Sequence, residues 1–224
     1  MIYSLNDMVT FLPSLLQGAL LTIAVSLLAF GLALVLGLAT GLARISRLTV
    51  LRVVAGCYIQ FIRGTPLLLQ LFFIYYVLPY GGIVLTPFVS GLTGLTLNYA
   101  AYMAEVFRSG IQAIPKGQWE AGASVGMSRR LMLRRIILPQ AMRVVVPPLG
   151  NEFIALIKTT SLASIIGFSD VLRNAQDIYY GNAKVIELLM VAAFWYLVVV
   201  SILSVGQAML ERRFARGFAS ATKR

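Results

Sequence analysis

The sequence predicts an all-α, polytopic membrane protein with about five membrane-crossing helices, and three observations predict it. Of 224 residues, 59% are hydrophobic and only 12% charged, with a mean hydropathy of +0.85. A soluble domain carries about a quarter charged residues, so water is the wrong solvent for most of this surface. Apolar runs with few or no charges recur at lengths that reach or exceed the roughly 20 residues a helix needs to cross hydrocarbon. The basic residues that give the net charge of +11 sit between those runs. That placement speaks for membrane topology and lipid contact and against nucleic acid.

The first run, residues 15–43, is free of charge and longer than one crossing requires, so its helix is expected to tilt or project; Arg44, Arg47 and Arg52 close it. The second, about 53–80, holds Arg63-Gly64-Thr65-Pro66 near its middle, and Pro66 both lacks an N–H and disfavours helix at Thr65, which predicts a kink. A Gly- and Pro-containing loop then leads to a third span, 90–112. Pro147-Pro148 precedes a fourth, 149–168, and a polar loop leads to a fifth, 185–210. Cys57, the only cysteine, allows no intrachain disulfide and reads as an inert buried thiol. The first ten residues carry no basic n-region and the apolar run after them is too long for a signal-peptide core, so retention of this segment is expected. No repeat or appended soluble domain is visible, and residues 1–224 read as one membrane domain.

Orientation follows from the nineteen Lys and Arg residues. Three lie between spans one and two, seven between Arg108 and Arg143, and five in the tail from Arg212, against only Arg173 and Lys184 on the other side. A bias of fifteen to two puts the amino terminus outside and the carboxyl terminus in the cytoplasm.

The segment 116–139 is therefore cytoplasmic. Gly126 separates two helical patterns, 118–125 and 131–138, and Ser128 is placed to cap the second. A helix-turn-helix with Gly126 at positive φ explains the glycine, since a side chain there costs about 1 kcal/mol or more. A basic amphipathic loop resting on anionic headgroups is the alternative from physics alone.

The segment reads Glu120-Ala121-Gly122, three residues, Gly126, nine residues, then Ile136-Ile137-Leu138-Pro139. This resembles the cytoplasmic signature of the membrane-spanning permeases of bacterial ABC importers, Glu-Ala-Ala, three residues, Gly, nine residues, Ile-x-Leu-Pro, with Gly122 in place of the second alanine. Further stretches, Phe61 to Gln70, Glu105 to Ile111, Pro115 to Ala121 and Lys158 to Leu162, are similar to the polar amino-acid subgroup. The resemblance implies an ABC importer permease fold in the inner membrane, with 116–139 as the coupling helix seated in a separate ATP-hydrolysing subunit. It also implies a second permease chain, identical or related, two ATP-binding subunits and an extracytoplasmic amino-acid-binding protein. The chain has no G-x-x-x-x-G-K-[ST] loop, and no Gly is followed by Lys. Hence no cofactor is expected on this chain, with ATP and Mg in the partner ATPase, and the permease is not itself an enzyme.

Charges inside spans mark protein-facing or wet positions, because each costs about 2.5 to 3.5 kcal/mol in lipid. Arg63 and Glu105 read first as structural ion-pairing groups, with Arg108 one turn after Glu105. A free amino acid needs an acceptor-rich and a donor-rich corner. Asn151, Glu152, Lys158, Thr159, Thr160 and Ser161 on span four supply both, with Asn98 and Glu105 on span three as further candidates. Residues 152 and 158 lie about 240° apart on a helix, so an unbroken helix does not aim both at one small ligand. The resemblance around residues 158–177 suggests basic amino acids or derivatives, with glutamine or acidic amino acids as the alternative. Rivals of another class are an ion-coupled secondary transporter or channel, disfavoured by the missing inverted repeat, and an intramembrane enzyme, disfavoured by the absence of His.

Overall fold

A computed structural model describes residues 5–215, and every regular element among them is helical. The longest helix, α1 (Leu5–Arg44), starts ten residues before the expected apolar run because Met8, Phe11 and Leu12 also find apolar partners. Its 40 residues measure about 60 Å, twice the hydrocarbon thickness. α2 (Thr49–Gly64) and α3 (Leu67–Phe72) follow, then a π-turn (Phe73–Val77) and a 3₁₀-turn (Leu78–Gly81). α4 (Pro87–Gln112) packs along α1, α2 and α7. Next come α5 (Lys116–Ser124), α6 (Arg129–Met132), a second π-turn (Leu133–Ile137) and α7 (Leu138–Ala163). α8 (Val171–Asn182) and α9 (Val185–Ala215) complete the bundle.

Small residues set the main contact. Ala33, Gly37 and Gly41 repeat every four residues on α1, and a Cβ on Gly37 would stand 2.8 Å from Met103 Cβ and 2.9 Å from Ala100 O. Only a hydrogen lets α1 and α4 approach this closely, the small-residue packing that membrane helices favour. Beneath it Ala29, Leu95, Tyr99 and Leu156 form the central cluster, and a second cluster joins Leu15 and Ala19 to Val171, Ala175 and Leu188.

Two helices are long and apolar enough to cross a membrane alone, Asn6–Arg44 and Val185–Phe214. Two bent pairs raise the count to four. α4 is 26 residues long but too polar to be counted on composition, and it need not be apolar, since eleven of its residues are buried among its neighbours.

The expected kink in span two is a break, with a bend of 105° between α2 and the helix beyond Pro66. The carbonyls freed at that break need partners within the protein. Gln70 Nε2 donates to Ile62 O at 2.8 Å, Thr65 O at 3.1 Å and Thr65 Oγ1 at 2.8 Å, while Asn98 Nδ2 donates to Gln70 Oε1 at 3.0 Å and fixes the amide. Both π-turns end just before a proline. Pro79 and Pro139 offer no N–H, and the bond shifts one residue, to Leu78 N–H on Phe73 O and Leu138 N–H on Leu133 O.

Three expectations need correction. Pro147-Pro148 does not open the fourth span but lies inside α7, which runs from Leu138; Gln207 Nε2 of α9 donates to Pro147 O at 2.7 Å and braces the weakened turn. The segment after the fourth span is not a loop but α8, because Asp170 caps it, its Oδ1 accepting from Arg173 N at 2.8 Å. Val171 and Ala175 form its buried stripe, and Thr22 of α1 and Tyr196 of α9 tie down its start. Cys57 is exposed on α2 and is not a buried thiol, since α2 buries the opposite stripe, Ala55, Ile59 and Ile62.

Candidate functional site

The basic end of the bundle carries the helix-turn-helix. α5 ends in a turn with Gly126 at φ +73°, where Met127 N donates to Gly122 O at 3.1 Å and Gly126 N to Ala123 O at 3.0 Å. This paired closure is the Schellman arrangement, and it needs a left-handed residue at its centre. Ser128 then caps the next helix, Oγ accepting from Leu131 N at 3.4 Å. The motif owns a small core of Ile114, Met132, Ile137 and Ala141, with Trp119 and Met127 against it. Gly122 is buried there: a Cβ would lie 2.9 Å from Met132 Cγ, so the departure from alanine accommodates a methionine.

The rest of the segment faces outward. Glu120, Ala121, Val125 and Gly126 are exposed, and so are Arg129, Arg130, Leu138 and Pro139, whereas Ile136 is half-buried. Val125 is 75% exposed at the tip, an apolar side chain held out of the core by the turn. α6, the π-turn and α7 form one continuous helix from Arg129 to Ile166, so the turn is joined directly to a long helix of the bundle.

The charged residues within the bundle divide by helix face. α7 is unbroken across 151–163, so residues seven apart share a side. Asn151 and Lys158 are both exposed on one side; Glu152 and Thr159 are half-buried on another. Thr159 meets Tyr99 Oη of α4 at 2.8 Å and itself donates to Ala155 O at 2.6 Å. Thr160 and Ser161 turn back on their own helix, bonding Ile157 O at 2.9 Å and Lys158 O at 2.7 Å. Asn98 serves the break in α2, far from this face in bonding terms. Glu105 forms an ion pair with Arg108, which also reaches Gln112 Oε1 at 2.5 Å.

The structure brings together Glu152 and Thr159 with residues not picked out from sequence for this role. Arg63 lies over the Tyr102 ring, 5.1 Å from its centroid, and Tyr102 stands 6.4 Å from Tyr99. Arg63 is within electrostatic reach of Glu152 and of Glu105. Arg63 and Tyr102 line an open cleft of about 300 Å³, with Tyr99 of α4 and Glu152 of α7 close by. The spacing Tyr99-x-x-Tyr102 opposite an intramembrane arginine was the available signal.

A family model described as "Binding-protein-dependent transport system inner membrane component" matches residues 33–216. The L-cystine transport system permease protein TcyB of Bacillus subtilis is 45% identical over 208 residues, covering 92% of this chain and 89% of that protein. The arginine transport system permease protein ArgU of Corynebacterium glutamicum is 44% identical, covering 89% and 68%. The glutamine transport system permease protein GlnP of Escherichia coli K12 is 39% identical, covering 90% and 93%. A solved structure, an amino acid ABC transporter with histidines, superposes with a TM-score of 0.90 at 37% identity over 95% of this chain and all of that one. The MetNI methionine ABC transporter, at 18% identity and a TM-score of 0.71, shares the fold. The chain belongs to the family of binding-protein-dependent transport system inner membrane components, among relatives that are amino-acid permeases.

Proposed function

We propose that the chain is the membrane-spanning subunit of an ATP-driven importer for polar, and in particular basic, amino acids or their derivatives. The observation that carries this reading is the clustering of Arg63, which lies over the Tyr102 ring and lines an open cleft with it, with Tyr99 and Glu152 beside that cleft. A basic amino acid can use both: an arginine fork for its carboxylate and a carboxylate for its cationic side chain. An acidic substrate would meet Glu152 unfavourably, whereas glutamine is compatible with the same pair and is the second reading.

In this scheme the amino terminus is outside and the turn around Gly126 is cytoplasmic, docked in an ATPase subunit that holds ATP and Mg. A second permease chain completes the enclosure, two ATPase subunits drive it, and an extracytoplasmic binding protein delivers the substrate. What supports these partners is the exposed tip of the coupling segment and the openness of one chain's cleft.

Glu152→Gln in the reconstituted complex tests the site. Uptake of L-arginine should fall more than uptake of L-glutamine when each is delivered by a binding protein that accepts both. A charge contact in a partly wet cleft is worth about 1 to 3 kcal/mol, roughly ten- to hundredfold in affinity. Equal losses for both substrates would remove Glu152 from the site.

A further inference from the structure

A groove of about 550 Å³ lies between α1, α7 and α9, and none of its lining residues belongs to the cleft at Arg63. Nine of the twelve carry aliphatic or aromatic side chains; the others are Gly150, Gly206 and Gln207. The Gln207 amide is already engaged, its Nε2 donating to Pro147 O at 2.7 Å and to Glu211 Oε1 at 2.9 Å. The groove therefore suits an apolar occupant of small-molecule size. Gly206 widens it: a Cβ there would meet nothing within 4 Å, so no neighbour in this chain requires a glycine in the middle of α9, where glycine is the poorest helix former after proline.

The dimensions are those of one leaflet. Val146 to Ile154 on α7 and Ile202 to Leu210 on α9 each run about 12 Å, against about 15 Å for half of a hydrocarbon core. Tyr196 is within reach of Thr160, and Gln207 meets Pro147, so the two helices run antiparallel with residues 147 and 207 at one level. Below that level both helices turn basic. Arg143 lies about 6 Å and Arg213 about 9 Å beyond it, on the faces that carry Gly150 and Gly206, with Arg212 alongside. All three are exposed, and none has an acidic partner in an ion pair among the described residues. Glu211, bonded to Gln207, is the acidic residue on these turns, so three guanidinium groups stand against one carboxylate.

We infer that the groove holds an acyl chain of one anionic phospholipid whose phosphate sits at Arg143, Arg212 and Arg213. In the orientation proposed above this is a lipid of the cytoplasmic leaflet. Basic pockets between membrane helices on that side recognise anionic headgroups, and here the apolar groove begins one turn above the charges, where the chain of such a lipid must go. A second copy of this chain fits less well. Copies share one orientation in a membrane, so a two-fold axis along its normal would bring both sets of arginines to the same depth and face them across the axis.

The test is native mass spectrometry of the complete complex that copurifies with this chain, delipidated and titrated with dioleoyl phosphatidylglycerol, dioleoyl phosphatidylcholine or glycerol phosphate. One phosphatidylglycerol per copy of the chain should bind about thirtyfold tighter than phosphatidylcholine, from a net excess of two positive charges, and added salt should shrink that preference. Arg143→Gln with Arg213→Gln leaves Arg212 against Glu211, so the preference should vanish while phosphatidylcholine binding stays as it is. Gly206→Leu places a side chain in the groove without touching a neighbour and should remove the site for both lipids, with the complex intact. Equal binding of the two lipids by the wild type would overturn the inference, as would phosphatidylglycerol binding that survives either change. Displacement of the lipid by glycerol phosphate would reduce the site to a phosphate contact without a chain. Loss of a second permease chain from the Gly206→Leu complex would make the groove a contact between chains, and the lipid site would be wrong.

Discussion

Replacing Gly126 separates backbone geometry from side-chain bulk at the turn proposed to dock in the ATPase. Its φ is +73°, and a Cβ built there meets nothing within 4 Å, so space is not at issue in this chain. The cost of a substitution is the left-handed backbone: about 1 to 2 kcal/mol for alanine, more for a β-branched residue, and least for asparagine, which visits that region routinely. Two hydrogen bonds, Met127 N to Gly122 O and Gly126 N to Ala123 O, exist only in that geometry. The nine-residue α5 has no independent stability to resist their loss. A penalty of about 2 kcal/mol lowers the population of the formed turn roughly thirtyfold relative to alternatives. The expected order for ATPase copurification, coupled ATP hydrolysis and uptake is Gly126, then Gly126→Asn, Gly126→Ala and Gly126→Val, with normal membrane insertion throughout. Wild-type transport by Gly126→Val would refute the reasoning. Equal damage in Gly126→Asn and Gly126→Val would refute it differently, by showing that a bound partner leaves no room for any side chain.

Topology is tested by Ser128→Cys in a Cys57→Ala background, needed because Cys57 is exposed: the new thiol should resist an impermeant reagent in intact cells and react in inside-out vesicles stripped of the ATPase, and the opposite pattern inverts the orientation. Gly37→Leu forces a side chain against Ala100 O and Met103 Cβ, 2.9 and 2.8 Å from the new Cβ, so it should cost about 1 to 3 kcal/mol and lower the melting midpoint in detergent. Gly31→Leu, with nothing within 4 Å of the new Cβ, should leave that midpoint unchanged. Gln70→Leu strands the carbonyls of Ile62 and Thr65 at the break. It should cost about 2 kcal/mol or more and lower the same midpoint, and an unchanged midpoint would dismiss the capping role of Gln70.

The helical class and the turn at Gly126 were legible in the sequence because each rests on a local rule. Apolar length reports membrane helices, and a glycine between two periodic segments followed by serine reports a turn with a cap. What was not legible depends on other helices. Pro147-Pro148 reads as a boundary on its own chain, and only the arrival of Gln207 from α9 shows why the helix passes through. Asn98 reads as a ligand group in isolation, yet its partner is Gln70, and its work is to hold an amide at the end of α2. Arg63 was visible as a costly charge, but its placement over Tyr102 and within reach of Glu152 requires the crossing of three helices.

Those same long-range contacts suggest why the polar groups are divided as they are. Gln70 and Asn98 are buried and spend their hydrogen-bonding groups on the broken end of α2. Glu152 and Thr159 remain half-buried, and Arg63 is exposed at the groove. A break in a membrane helix that is internally satisfied can hold its shape while the groups beside it stay free to exchange partners. Had Arg63 been spent on the α2 carbonyls in place of Gln70, the break would have been held by a charge and the groove would have lost its guanidinium. The neutral amide therefore takes the structural duty, which leaves the Arg63 guanidinium over the Tyr102 ring and available for the binding role proposed for it.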